Sequence, residues 1–525
     1  MCEASADMSM ASAFSVALVG LEGRIVEVEA DISGGLPRTV LVGLADTALY
    51  EARDRCKAAV TNSGHQWPSS LLTINLSPAT LPKRGGHYDL AIVAAVLAAD
   101  GVFGVGELAG TVLLGELGLD GRVRPVRGVL PATLAAASAG FRRVIVPRGQ
   151  ADEARLVEGI EVFGLASLSQ LVALFRGDQL PVAESVDTTD EPSAPPASQS
   201  LDLADVIGQP EAKWAAEVAT AGRHHMLFQG PPGVGKTMIA QRVPGLLPDL
   251  TTSEALEVSA IHSLAGFALS DGLITRPPFS DPHHSASAPS IIGGGQRMAK
   301  PGAISCAHRG VLFLDEAPEF SAVVLEALRT PLESGLITIS RSEFETRYPA
   351  RFQLIMAANP CPCGLAATRG AQCRCVPAQI RRYASKISMP IRDRIDIVQT
   401  FVPLSKAFLK VAAKCPSEPS AVIAGRVAEA RARQASRLAG TPWLTNGEVP
   451  GGHLTKQLPL PEGLHLLDEA VNRGLLSARG VHKVLRISWT LADLRGRDRP
   501  TDGDLVIALA MRRGESSVAA EQVIF

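Results

Sequence analysis

Residues 230–237 read Gly-Pro-Pro-Gly-Val-Gly-Lys-Thr, and no other stretch of the 525-residue chain restricts its fold as tightly. Glycines at this spacing, G-x-x-x-x-G-K-T, let successive backbone N–H groups turn toward one anion. A helix that begins where the loop ends adds its positive dipole. Such a loop needs an apolar strand before it and a helix after it. Met226–Phe228 supplies the first, and the chain from Met238 onward can supply the second. Gly230, Pro231, Pro232, Gly233, Val234 and Gly235 then cradle phosphates. Lys236 neutralises the outer ones, and the Thr237 hydroxyl reaches Mg2+. A plain Gly/Pro turn is the bland alternative, and a second motif argues against it.

That motif is Val311-Leu312-Phe313-Leu314-Asp315-Glu316. An apolar run ending in two carboxylates suits a buried parallel strand whose C-terminal end faces a ligand crevice. Asp315 is placed to hold Mg2+ and Glu316 to polarise the water that attacks a γ-phosphate. Leu354–Ala358 repeats the pattern and ends in Asn359. Its amide would hold the lytic water; an Asn in a strand-end turn before Pro360 is an equally good reading. The expected fold class is α/β, a doubly wound parallel sheet. A helical lid follows, because Leu464–Met511 repeats apolar residues at helical spacing.

A chain of this length predicts several domains. A Ser, Thr, Pro, Ala and acid-rich stretch marks a linker at 184–203. It separates an α+β domain (1–183) from an ATPase core (204–404) and a C-terminal helical lid (405–525). In the first domain Arg24–Ala30, Thr39–Val42, Leu71–Leu76, Thr111–Leu117, Arg122–Pro125 and Arg143–Pro147 read as strands. Asp46–Ser63, with Asp46 as possible N-cap, and His87–Ala99 read as helices.

The formal charge of −2 restricts any nucleic-acid surface to local patches, and 4% aromatics argue against broad base-stacking platforms. No apolar run is long enough to span a bilayer, and residues 1–13 lack a basic-then-apolar leader. The expectation is a cytoplasmic protein with no membrane partner. Eight cysteines without an export signal point to a reducing compartment. Four of them, Cys361, Cys363, Cys373 and Cys375, suit tetrahedral Zn2+. Their C-x-C spacing is tighter than a zinc-finger knuckle; four reduced thiols, or a redox switch, are the alternatives.

Several basic residues invite two readings each. Arg394 lies between Asp393 and Asp396, where it either reaches a neighbouring subunit's γ-phosphate or joins a surface ion-pair network. Arg479 opens a lid helix and either contacts phosphate or is an ordinary helix-start arginine. Ile337–Arg341 and Arg347–Phe352 form a hairpin whose Arg341, Arg347 and Arg351 face a nucleic-acid backbone or only solvent. Residues 276–300 form a second insert with His283-His284 and Gly293–Gly295, read as another pore loop or as polar surface. Arg381, Arg382 and Lys386 make a local basic cluster.

Taken together, Asn75–Leu90, Asp205–Thr237, Pro282–Ser287, Gly310–Phe320, Asn359–Gly364, Arg394–Asp396 and Ser477–Leu494 resemble the ComM/YifB family of magnesium-chelatase-like AAA+ ATPases, nearly end to end. The resemblance implies an ATP- and Mg2+-dependent homo-hexameric motor on branched or single-stranded DNA, a branch-migration helicase working beside recombination proteins. It gives Asn359 the sensor-1 role, Arg394 that of a trans arginine finger and Arg479 that of sensor 2. The first domain resembles a Lon-protease-like domain, with His87 where the nucleophilic serine falls and Leu130 where the lysine falls. Without nucleophile and base there is no acyl transfer, so a non-proteolytic docking role is expected. Two other functions stay in view: the ATPase subunit of a magnesium chelatase acting with porphyrin-binding partners, and a scaffold or protease regulator with a dead site.

Overall fold

The computed structural model describes residues 9–43, 47–81, 86–182, 201–269, 271–295, 300–340, 345–366, 372–405 and 417–516. Asp46, Arg341 and residues 184–200 of the expected linker lie outside them.

The first third builds a seven-stranded mixed sheet. Its strands are β1 (Ser9–Val19), β2 (Glu22–Ser33), β3 (Arg38–Val42), β4 (Leu71–Ser77) and β5 (Thr111–Leu113). Beyond the short pair β6 (Glu116–Leu117) and β7 (Val123–Arg124) come β8 (Arg143–Pro147) and β9 (Glu161–Leu165). Their order is β3-β4-β2-β1-β5-β8-β9. Alternation explains the buried face: Leu72, Ile74 and Leu76 of β4 and Val26, Val28 and Ala30 of β2 all point inward. They cover the helix Asp89–Ala99, every residue of which is buried. Its one charge, Asp89, takes two hydrogen bonds from Arg55 at 2.6 and 3.0 Å and one from the Leu117 N–H at 3.2 Å.

Two expectations are corrected here, and two strands are additional. β1 and β9 were not foreseen, since Ser/Ala-rich β1 carries little strand signal and pairs with β2 over its whole length. The expected strand Thr111–Leu117 breaks at Leu114-Gly115, whose close packing on Leu90 and Val123 leaves no space for a Cβ. The helix starts at Asp89, after a 3-10 turn at Gly86–Tyr88.

The second sheet holds β10 (Met226–Gln229), β11 (Phe279–Ser280), β14 (Val311–Leu314), β17 (Gln353–Ala358) and β18 (Ile397–Thr400). Two short pairs complete the strands: β12 (Gly293–Gly294) with β13 (Lys300–Pro301), and β15 (Leu336–Ser340) with β16 (Glu345–Pro349). The sheet order is β11-β14-β17-β10-β18, and every pairing in it is parallel. Both faces are covered. Val311, Phe313, Ile355 and Ala357 enter the core shared with the C-terminal helices, while Leu312, Leu314, Leu354 and Met356 enter the other. Continuous apolar runs are what a doubly covered parallel strand requires.

The C-terminal helices are Ser420–Arg437, Gly451–Lys456, His465–Asn472, Ala478–Leu494 and Asp502–Arg513. Buried Trp489 anchors them, with the Arg437 guanidinium 4.3 Å from its ring and held by Asp493 at 2.6 and 2.7 Å.

The N-terminal sheet rests on the part of the chain built on the second sheet through the helix Val129–Ser138, which packs on the helix Thr252–Ala265. Gly128 (φ 75) permits this approach: a Cβ there would meet Leu18 at 2.5 Å and Leu264 at 2.8 Å. Buried Glu153 bridges the two parts, accepting from the Leu130 N–H at 2.8 Å and the Ser263 hydroxyl at 2.5 Å. Gly20 closely approaches the Arg347 carbonyl of β16. The expected return strand Arg347–Phe352 is displaced, running from Glu345 to Pro349. β16 ends at Pro349, and Arg351 lies at the hairpin's root against Gly335.

His224, fully buried just before β10, bonds Thr490 at 2.8 Å, and burial pushes its pKa down to about 4. The ordinary value is near 6.5, so the unfolded chain binds the extra proton first as pH falls. This histidine's contribution is complete above about pH 6.5 and is lost as pH drops toward 4. Between pH 7 and 5 the wild-type chain should lose about 2 kcal/mol of stability that a His224→Asn variant does not lose. Denaturant midpoints at both pH values measure it; equal losses in the two proteins would contradict it.

Candidate functional site

Parallel pairing carries the C-terminal ends of β10, β14 and β17 to one edge of the sheet. Leu314 pairs with Met356, and Gln229 with Ala358, so Asp315, Asn359 and Gly230 emerge side by side. Gly230 must be glycine, since a Cβ would meet the Phe401 carbonyl at 2.8 Å. Gly233 (φ 77) and Gly235 (φ 94) turn the loop in left-handed conformations. The helix that follows, Lys236–Ala240, is only five residues long and starts two residues earlier than the sequence suggested.

Side chains from the three strand ends converge. Lys236 Nζ donates to Asn359 Oδ1 at 2.9 Å and to the carbonyls of Gly230 and Pro231 at 2.5 and 3.0 Å. Burial pushes the ammonium's pKa down, and the carboxylates of Asp315 and Glu316 oppose that shift. The Thr237 hydroxyl donates to Asp315 Oδ2 at 2.7 Å. A hydroxyl and a carboxylate oxygen so close together form the hard-oxygen pair that Mg2+ favours. Glu316 is half-exposed and sits at φ 50, ψ 44, a left-handed conformation unusual for a non-glycine. Its carboxylate lies 3.6 Å from His284 Nδ1.

Three neighbours were not expected at this site, although His284 was singled out as part of the 276–300 insert. Asp281 and His284 reach the site because β11 lies beside β14; at two residues β11 is too short to show in a pattern. Burial, with the Asp315 charge adding to it, holds the Asp281 carboxyl above the usual range. Gln209, at φ 55, ties the phosphate loop down through Val234 O (3.1 Å) and Val402 O (3.2 Å). A cleft of about 490 Å³ opens beside the loop between Val206, Ile207, Leu365 and Pro403. Its apolar walls suit a nucleotide's base.

The remaining expected residues lie elsewhere. Arg394 bonds the Pro390 carbonyl at 2.6 Å and pairs with Glu333, touching none of the phosphate-loop residues. Arg479 is exposed on the first turn of its helix. Arg381 and Arg382 are exposed on the helix Pro377–Ser385, while Lys386 pairs with Glu319.

The four clustered cysteines meet. Sγ atoms of Cys361 and Cys363 are 3.3 Å apart, those of Cys361 and Cys373 3.8 Å, and those of Cys363 and Cys373 3.6 Å. All four sulfurs, Cys375 included, fall within 4.8 Å of one another. Thiolates about 2.3 Å from a tetrahedral Zn2+ stand about 3.8 Å apart, so the cluster fits that ion. The cysteine loop also touches the phosphate loop: Gly364 (φ 76) lies so near Pro232 that a Cβ would sit 2.7 Å from its Cδ.

Comparison with known proteins agrees with this geometry. The family model for magnesium chelatase, subunit ChlI, matches residues 202–408; that for subunit ChlI of Mg-chelatase matches 28–150; and its C-terminal model matches 417–512. A phosphate loop, an Asp-Glu strand end and these matches define a magnesium-chelatase-like AAA+ ATPase. The chain is 52% identical over 511 residues to an uncharacterised protein of Mycobacterium tuberculosis, covering 96% of this chain and 99% of that one. It is 39% identical over 507 residues to competence protein ComM of Haemophilus influenzae (96% and 98%). It is 40% identical over 506 residues to YifB of Escherichia coli (96% and 97%). The chain belongs to the ComM/YifB family.

The contact between the two loops can be tested. Gly364→Ala should push Pro232 and lower nucleotide affinity about fivefold or more, roughly 1 kcal/mol. Titration with a fluorescent ATP analogue measures it; unchanged affinity would contradict the coupling.

Proposed function

We propose that this chain is an ATP-hydrolysing ring motor acting on DNA, a ComM-type branch-migration helicase that assembles as a homo-hexamer. The observation that carries the reading is the convergence of Lys236, Thr237, Asp315, Glu316 and Asn359 at one sheet edge, in a chain alike to ComM over nearly its full length. Lys236 and the loop N–H groups bind and orient the phosphates. Thr237 and Asp315 would hold Mg2+, which shields the phosphate charge. Glu316 takes the proton of the attacking water, and Asn359 holds that water in line. This division of labour argues against a dead-site scaffold.

Arg394 is read as the finger offered to the neighbouring protomer and Arg479 as sensor 2. The support for the first is negative in its own site: the Arg394 head is held by Glu333, not by the phosphate loop. Arg347 on the hairpin and Arg381, Arg382 and Lys386 beside the cysteine loop are candidates for DNA phosphates. The N-terminal sheet is read as a Lon-like docking module without protease chemistry, since His87 and Leu130 occupy the two key positions. Cys361, Cys363, Cys373 and Cys375 are read as a structural Zn2+ site.

Three measurements test the reading. On a synthetic four-way junction with ATP the wild-type chain should migrate the branch; Lys236→Ala should not, and Glu316→Gln should bind ATP but turn it over at least about a hundredfold more slowly. ATP hydrolysis stimulated by porphyrin-binding partners and indifferent to DNA would favour the chelatase-subunit function instead. Metal analysis of purified protein should find about one zinc per chain. Metal-free protein with four titratable loop thiols would end the zinc assignment.

A further inference from the structure

The backbone under Arg394 is held by the C-terminal helices. Lys483, buried on the helix Ala478–Leu494, donates from Nζ to the Arg394 carbonyl at 2.9 Å and to Asp396 Oδ1 at 2.7 Å. Arg512, on the helix Asp502–Arg513, donates to the carbonyl of Ile395. The second oxygen of Asp396 accepts the His225 N–H at 2.9 Å, and His225 returns its carbonyl to the N–H groups of Asp396 (2.9 Å) and Ile397 (3.0 Å). Three consecutive residues, Arg394 to Asp396, are thereby fixed between two lid helices and the start of β10, the strand that carries the phosphate loop.

Stability alone is a weak explanation of this cluster. A buried ion pair of this kind is often matched or bettered by apolar residues of the same volume. What the pair does supply is register between a helix and a loop. The same helix carries Arg479 on its first turn, four residues before Lys483, hence on the same side and about 6 Å along the axis. A displacement of that turn must move Lys483 and, through it, the Arg394 carbonyl.

We propose that Lys483, assisted by Arg512, is a positioning residue for Arg394, linking the state of a chain's own lid to the arginine it offers its neighbour. The inference rests on the trans-arginine reading of Arg394 and the sensor-2 reading of Arg479 above. The lid acts as a lever: nucleotide at the chain's own phosphate loop shifts the first turn, and the finger moves with it.

Steady-state ATP hydrolysis and nucleotide binding by the full-length chain test this. Removing both charges together, Lys483→Met with Asp396→Asn, avoids leaving a lone buried carboxylate. That double variant should lose about tenfold or more in kcat with KM unchanged, as a displaced arginine finger does. Adding Arg394→Ala should lower kcat no further than Arg394→Ala alone. Arg512→Met, which leaves the buried pair whole, serves if the double variant does not fold; it should lose about threefold in kcat, again with KM unchanged. Losses that multiply with Arg394→Ala, a KM effect without a kcat effect, or wild-type kcat in either lid variant would overturn the proposal. If Arg394→Ala itself keeps wild-type kcat, the trans-arginine reading falls first, and the proposal with it.

Discussion

The hydrogen bond between Lys236 and Asn359 joins residues 123 positions apart, and it exists only because β10 and β17 run parallel in one fixed register. The same holds for Thr237 and Asp315 across the sheet. A parallel strand has side chains on two buried faces, so a slip of one residue would exchange the two cores that Phe313 and Leu314 fill. The apolar packing that sets the register is therefore what aims the phosphate loop, the two carboxylates and the amide at one point. The convergence of these side chains is a by-product of core packing at the strand ends.

Around that edge the rest of the chain supplies supports. Gln209 and Phe401 fix the phosphate loop from below. The cysteine loop leaves β17 directly after Asn359 and returns to press Gly364 on Pro232 and Leu365 into the nucleotide cleft. The four thiols are therefore connected, through Gly364, to the phosphate loop itself. On the far side, Glu153 and Gly128 bind the N-terminal sheet to the helix Thr252–Ala265, whose Glu257 meets His308 at 2.9 Å just before β14. The N-terminal part is thus attached close to the root of the strand that carries Asp315.

The sequence was most legible where one short stretch of chain carried the whole signal. The phosphate loop, Val311–Glu316, the Asn359 strand and the cysteine cluster each appear as a short contiguous pattern, and all four lie where expected. Elements defined by their neighbours were illegible. β1, rich in Ser and Ala, is a strand because β2 pairs with all of it. β11 spans two residues, so the sequence marked Pro282–Ser287 as a motif without showing that Asp281 and His284 flank Asp315 and Glu316. Arg351 sits at the root of the hairpin rather than on its return strand, because β16 ends at Pro349. Lys483 reads as one polar residue in an amphipathic helix; only the fold shows it buried against Asp396.

The Arg394 guanidinium pairs with Glu333 in its own chain and not with its own phosphate loop; the proposed ring motor has it complete the site of a second protomer. Mixing two inactive proteins measures this directly. Arg394→Ala keeps its phosphate loop and lacks the finger; Lys236→Ala keeps the finger and lacks the loop's ammonium. A site shared between protomers regains ATP hydrolysis on mixing, since some neighbours then pair an intact loop with an intact arginine. Mixtures that stay as inactive as their components, although the subunits exchange, would contradict a shared site.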